Sequence, residues 1–255
     1  VTTVAFSFGL LLALLFSLFA GASYNESVIV YGILAGICSA AAISFLYAAL
    51  ALGPISIVSP FTAVLSAIVP VVVDIASGQA LGELSLLAIV LILIAVVLVA
   101  FVPGQDVRLP TLRAAIYSIG AGLGFAGTFV FIDAAPSDSG LGVLVVMRVI
   151  GITILFALLA ILLFSGKSKV LIEKEVFALS TLWLVLLAGF GDVTGNLFFI
   201  IATREGALAI AAVLTSLYPV GTILLAKIFL KERIAISQNI GIVLAVGACA
   251  LLAFS

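Results

Sequence analysis

Residues 86–102 read LLAIVLILIAVVLVAFV, a run with no polar side chain in it. A second run, Ile152–Phe164, is interrupted only by Thr153. Strands of a membrane barrel alternate apolar and polar residues over about 10 positions. Neither run alternates, so both read as helices. A helix crosses a hydrocarbon core about 30 Å thick with about 20 residues, so each run forms the body of one crossing.

The surrounding composition agrees. Hydrophobic residues make up 65% of the 255 positions, mean hydropathy is +1.53, and charged residues are 8%. A soluble domain carries about 25% charged residues, which it needs to cover its surface. This chain is solvated mainly by lipid, where each charge is costly and therefore scarce. Ten Lys and Arg stand against eleven Asp and Glu, so no basic stripe exists to follow a nucleic-acid backbone. With no histidine, imidazole ligation of zinc, imidazole base chemistry and hydrolytic triads are excluded, and Cys38 and Cys249 resemble neither a disulfide framework nor a metal site. No cofactor is expected. The expected partners are a small-molecule substrate and membrane lipid.

Nine apolar spans are read along the chain, at 2–20, 28–51, 55–77, 82–102, 111–134, 140–164, 176–203, 207–230 and 235–254. The first ends in small residues, as a signal peptide does, but lacks the basic segment that such a peptide begins with. The longest polar connections, Pro103–Pro110 and Ser165–Glu175, leave no room for a soluble domain. The expected location is a cell inner membrane, with the chain crossing many times.

The chain also resembles itself. Shifted by 153 residues, Ala35-Gly36 falls on Ala188-Gly189, Phe45 on Phe198, Gly53 on Gly206 and Thr62 on Thr215. The register continues ungapped through Ile89 on Ile242, Ala95 on Ala248 and Leu98 on Leu251. Transporters are often built from such duplicated halves. Equivalent spans lie five apart, so they run in opposite directions and the halves are expected to be inverted. The expected repeats are 1–102 and 111–255. The second half holds five spans and the first only four, and the chain opens on Val1 with Met147 as its one methionine. A first helix is therefore expected to be missing from a ten-helix fold.

The segment Leu214–Ala253, LTSLYPVGTILLAKIFLKERIAISQNIGIVLAVGACALLA, resembles the second half of an EamA-type carrier of the drug/metabolite transporter superfamily. The matching features are Pro219, Glu232-Arg233 at the next turn, Gln238, Gly241 and Gly247. Tyr47–Pro70, YAALALGPISIVSPFTAVLSAIVP, resembles the same pattern in the first half, with Gln79 where the family has a turn glutamate. Arg148 in MRVIGI resembles an arginine found early in the family's seventh helix. The resemblance implies two inverted five-helix repeats around a cavity, alternating access, and export of metabolites, amino acids or drugs. It also implies a proton as a coupling ion, carried in related small multidrug carriers by a glutamate of the first helix.

Ionisable groups inside spans are candidates for function because insertion penalises them by about 2.5–3.5 kcal/mol. Asp192 and Asn196 lie four apart, so they share a helix face, and Gly189, Gly191 and Gly195 surround them. They read either as a cavity site for a cation, proton or amine, or as an interhelical hydrogen bond. Arg148 reads either as the structural partner of a residue such as Asp192 or as the receptor of a substrate carboxylate. Tyr47, Thr215 and Tyr218 are further candidates for substrate contact. Pro60, Pro70 and Pro219 are expected helix breaks, of the kind that line carrier sites. Asp74 and Lys227 occupy equivalent repeat positions near span ends and read as interfacial, and the string Gly120, Gly122, Gly124 and Gly127 reads as close helix packing.

The expected function is a secondary active exporter whose cavity is lined by the spans 28–51, 55–77, 176–203 and 207–230. A channel or facilitator is the rival, although the chain shows no rings of charge suited to a filter. An enzyme is not expected. Orientation divides two readings: Arg108, Arg113, Lys167, Lys169, Lys174, Lys227, Lys231 and Arg233 share one side, and only Arg204 lies on the other. The positive-inside rule puts the larger set in the cytoplasm, whereas the family resemblance puts Ser255 there and that set outside. A single-cysteine reporter in the loop 167–174 separates them. Labelling by a membrane-impermeant thiol reagent in intact cells is the outcome expected from the resemblance, and protection sinks it.

Overall fold

The structure, a computed structural model, describes residues 2–100, 111–164, 179–225, 228 and 235–252. Among the described residues, ten α-helices follow in order: α1 (Thr2–Ala20), α2 (Glu26–Leu52), α3 (Ile55–Ala76), α4 (Glu83–Ala100), α5 (Leu112–Asp133), α6 (Gly142–Phe164), α7 (Leu179–Glu205), α8 (Leu208–Thr215), α9 (Tyr218–Leu225) and α10 (Ile236–Leu252). Taking α8 and α9 together, eight segments are long and apolar enough to cross a membrane, and α10 is a shorter apolar helix. The protein is an all-α integral membrane protein. In lipid every backbone N–H and C=O must be satisfied inside the protein, and a helix does this within its own segment. The ends carry local caps. The Val28 amide donates to Asn25 Oδ1 at 2.9 Å, and the Ala114 amide to Thr111 Oγ1 at 3.2 Å.

The chain forms two compact units, each drawing on both halves of the sequence. The first comprises Val1–Ala40 and Phe131–Arg204. Here α1 packs along α6, and α2 crosses α6 through Gly32 and Gly36, one turn apart. A Cβ on Gly32 would lie 2.6 Å from the Val146 side chain, and one on Gly36 would lie 2.8 Å from the Met147 carbonyl oxygen. Small residues at this spacing let two backbones meet at van der Waals distance, the main source of helix association when the solvent is itself apolar. At one end of this unit the turn Gly21–Ser23 bridges to Ser139–Leu141. Ser23 N–H donates to the Ser139 carbonyl at 3.0 Å and Leu141 N–H to that of Gly21 at 2.9 Å. Arg204, in the last turn of α7, closes the same corner through Ser139 Oγ at 3.1 Å and the Gly140 carbonyl.

The second unit comprises Ala41–Val130 and Glu205–Ser255. Its most extensive pairings are α4 with α10 and α3 with α8. Ile92 packs with Ala248 in one apolar cluster, and Ala95 with Ala245 in the next. These four residues are two pairs in the 153-residue register, exchanged, so α4 and α10 meet antiparallel through the same face of each. Gln238 ties the ends of this pair. Its Oε1 accepts the Ala235 amide at 3.0 Å, and its Nε2 donates to the Val99 carbonyl at 3.1 Å in the last turn of α4. Between α3 and α8 the tie is Asp74, which accepts the Ala209 amide at 2.7 Å. The interfacial reading of Asp74 is corrected: it is buried and caps α8, whose own N-cap position, Ala207, offers no side-chain acceptor. A carboxylate is favoured there by the free first-turn amides and the positive end of the helix dipole. Its repeat counterpart Lys227, like Glu232-Arg233 and the loops 101–110 and 165–178, lies outside the described residues.

The glycines of α5 meet the second half of α2 and α3. A Cβ on Gly120 would lie 2.9 Å from the Phe45 ring, one on Gly122 2.6 Å from Leu65, and one on Gly124 2.8 Å from Ala42. The three expected helix breaks divide. Helix α3 continues from Ile55 to Ala76 through both Pro60 and Pro70, so the expectation of a break is corrected at those two. Each proline removes one N–H, and the packing around two buried rings holds the helix together. Pro219 does stand at an interruption. Between α8 and α9 the amides of Leu217 and Val220 bond three residues back, at 3.2 and 2.9 Å, instead of four.

A Cβ on Gly241 would lie 2.6 Å from Val99 Cγ2 and 2.9 Å from the Ala95 carbonyl oxygen, whereas one on Gly247 meets nothing within 4 Å. Overpacking of this kind costs about 1–3 kcal/mol. Gly241→Ala should therefore lower the thermal unfolding midpoint of the detergent-solubilised protein, and Gly247→Ala should leave it unchanged. Equal midpoints for the two variants contradict the α4–α10 contact.

Candidate functional site

Arg148 lies in the second turn of α6 and is 1% exposed, although it is a full cation inside an apolar segment. Its Nη1 donates to Asp192 Oδ2 on α7, forming an ion pair. Asn196, one turn further along α7, donates from Nδ2 to the Asp192 carbonyl at 2.8 Å and to Asp192 Oδ1 at 3.2 Å. The interhelical bond that the sequence allows is therefore present, with Arg148 as the partner. Both carboxylate oxygens are engaged. The three candidates Arg148, Asp192 and Asn196 thus form one constellation in the first unit.

Helix α1 closes around the guanidinium. The Phe6 ring centroid lies 5.0 Å from Arg148 Cζ, a cation–π arrangement that supplies negative potential to one face. At Gly9 a Cβ would sit 2.9 Å from Val193 Cγ2 and 3.7 Å from Arg148 Nη1, so glycine here lets α1 approach both α6 and α7. At Gly189 a Cβ would lie 2.6 Å from the Ala5 carbonyl oxygen, a second close approach of α7 to α1. The pair is asymmetric in exposure: the Arg148 side chain is 1% exposed, that of Asp192 43%. Beside Asp192, a Cβ on Gly191 or Gly195 would meet nothing within 4 Å. The anion thus stands at an open edge and the cation is sealed. Arg148 Nε and Nη2 are buried and form no hydrogen bond in the structure.

Sequence reasoning does not single out Phe6 and Gly9. A phenylalanine and a glycine in an apolar span are ordinary there, and only their placement over Arg148 distinguishes them. The remaining candidates lie in the second unit. Tyr47 is half-exposed on α2. Thr215 donates its hydroxyl to the Ala211 carbonyl at 2.8 Å within α8, as its register partner Thr62 does to Val58 within α3 at 2.8 Å. Tyr218 opens α9 and donates to the Ser59 carbonyl of α3 at 2.8 Å, so its hydroxyl fastens α9 to α3.

A multi-pass membrane protein with a charge pair between two of its spans is the class that the fold and site define. Residues 112–254 match the model of the EamA-like transporter family. That match takes in more than half of the 255 residues, and the chain belongs to this family, within the drug/metabolite transporter superfamily. Among solved structures, one described simply as "Crystal structure of protein" superposes with a TM-score of 0.73 at 18% identity, over 98% of this chain and 86% of that one. That likeness is one of fold. No curated protein matches the chain.

Removing one partner of a buried ion pair leaves an uncompensated charge and costs about 3–5 kcal/mol, whereas removing both together is close to neutral. Asp192→Asn should therefore lower the unfolding midpoint markedly, and Asp192→Asn combined with Arg148→Met should recover most of the loss. A double variant as unstable as the single one contradicts the pairing.

Proposed function

We propose that the protein is a secondary active transporter that exports small organic metabolites, such as amino acids or drug-like compounds, from the cytoplasm across the cell inner membrane by alternating access. Family membership makes it a membrane transporter of the drug/metabolite type. The observation that carries the finer reading is the open carboxylate of Asp192, an anion 43% exposed within an apolar helix. Ionised groups are tolerated at such depth where they line a polar route for substrate. Asn196 donates to this carboxylate, Arg148 balances its charge, and a Cβ on the flanking Gly191 or Gly195 would meet nothing within 4 Å. The arrangement binds a cationic or hydrogen-bond-donating part of a solute. A fixed filter is not what one charge pair provides, which favours a carrier over a channel.

A thermal-shift screen against amino acids, nucleotide sugars and lipophilic cations supplies a substrate, and proteoliposome counterflow of that labelled substrate tests the reading. Flux should saturate and be stimulated from the opposite side. Asp192→Asn should reduce it at least about tenfold, the effect of one lost charge-assisted contact, and Asn196→Ala by less. Unchanged flux in both variants removes the site assignment. Flux that neither saturates nor shows counter-stimulation removes the carrier.

A further inference from the structure

Resting on the carrier reading above, we infer that α8 and α9 form a hinged strut. Helix α8 is fixed to α3, α9 turns about Ser216–Pro219, and the hydrogen bond from Tyr218 to Ser59 is the latch that holds α9 closed.

The two halves of this span are held differently. Asp74, near the end of α3, accepts the Ala209 amide in the first turn of α8 at 2.7 Å. Ala209 and Val213 share one buried cluster with Ala67 of α3, Ile89 and Ile92 of α4 and Ala248 of α10, so α8 is locked on three neighbours. Helix α9 has less to hold it. Val220 packs with Ala95, Val99 and Ala245, a cluster in which α3 takes no part among the described residues. Past Val220, the residues Gly221, Thr222, Leu224 and Leu225 are exposed, and a Cβ on Gly221 would meet nothing within 4 Å. The polar tie from α9 to α3 is the Tyr218 hydroxyl, which donates to the Ser59 carbonyl at 2.8 Å. Ser59 and Asp74 lie about 22 Å apart along α3, so the two ties sit near opposite ends of one continuous helix.

Between these ties the backbone changes its bonding. The Leu217 and Val220 amides bond three residues back and Pro219 has no amide, and a helix bends at such a place. Packing of the repeat does not demand the interruption. The 153-residue register equates Ser216–Pro219 with Ala63–Ser66, where α3 runs on unbroken. Hydroxyls on each side keep nearby carbonyls bonded while α9 turns: Ser216 donates to the Val213 carbonyl at 2.7 Å, and Thr222 to that of Pro219 at 2.8 Å. Tyr218 is 38% exposed, so its hydroxyl is not stranded in an apolar core when the latch opens. One neutral hydrogen bond suits a latch, being strong enough to set the resting state and weak enough to break within a transport cycle.

The test measures distances by double electron–electron resonance on the full chain in lipid nanodiscs, with Cys38 and Cys249 replaced by Ala and spin labels at exposed positions. One pair, Phe61→Cys with Leu225→Cys, spans α3 and α9, and the other, Ile75→Cys with Leu214→Cys, spans α3 and α8. The α9 pair should show two distances and the α8 pair one. Tyr218→Phe removes the hydroxyl and keeps the ring, so it should raise the ratio of open to closed α9 about fivefold, the effect of one neutral hydrogen bond, and leave the α8 pair unchanged. Pro219→Ala returns an amide that bonds the Thr215 carbonyl, and should lower that ratio. A ratio that Tyr218→Phe does not raise overturns the latch. A single α9 distance in every variant, equal movement of both pairs, or a ratio that Pro219→Ala leaves unchanged overturns the hinge. Should Tyr218→Phe fail to fold, the two pairs with and without Pro219→Ala still decide. Saturable, counter-stimulated flux beside a single α9 distance leaves the carrier reading standing and this inference fallen, and a latch that opens in a protein without such flux does the reverse.

Discussion

A guanidinium sealed from solvent in a lipid-solvated chain needs a counter-charge, and much of the first unit is arranged around that need. An unpaired buried charge is costly, so the fold must supply Arg148 with a counter-charge. Asp192 does so from α7, which requires α6 and α7 to lie within side-chain reach. Gly9 and Gly189 bring α1 close enough for Phe6 to cover the guanidinium. Exchange either glycine for a larger residue and the helices separate, which would weaken the ion pair by admitting a gap or water. Packing and electrostatics are therefore not separable contributions here. The glycines set the distance at which the charges are worth having.

How much of this is legible in the sequence follows from what the solvent dictates. Lipid imposes length and apolarity on every span, so the helices fall within a few residues of the apolar runs wherever both are described. It also makes charges rare, and rarity is what singles out Arg148, Asp192 and Asn196 and even suggests pairing the first two. The misreadings lie where neighbours override local chemistry. Pro60 and Pro70 carry the usual helix-breaking liability, yet α3 passes through both because a single missing N–H is a small loss to a helix packed on α4 and α8. Asp74 stands two residues from the end of α3 and looks in sequence like a solvated terminus. Its partner is an amide of α8, 135 positions away in sequence, and nothing local could announce it. Phe6 and Gly9 are invisible for the opposite reason, being typical of every span.

Symmetry and chemistry are distributed differently over the chain. In the 153-residue register, the contact between α4 and α10 is self-complementary, with Ile92 and Ala95 meeting Ala248 and Ala245. Residues that pack backbone to backbone obey the register because the same small side chains serve both partners of an antiparallel pair. The polar constellation does not. The positions that the register equates with Asp192 and Asn196 are Ser39 and Ile43, neither of which bears a charge. A charge costs several kcal/mol inside a membrane unless it has a partner, so doubling the pair would double that burden. A frame of repeated helix contacts can therefore tolerate a single charged site in one half.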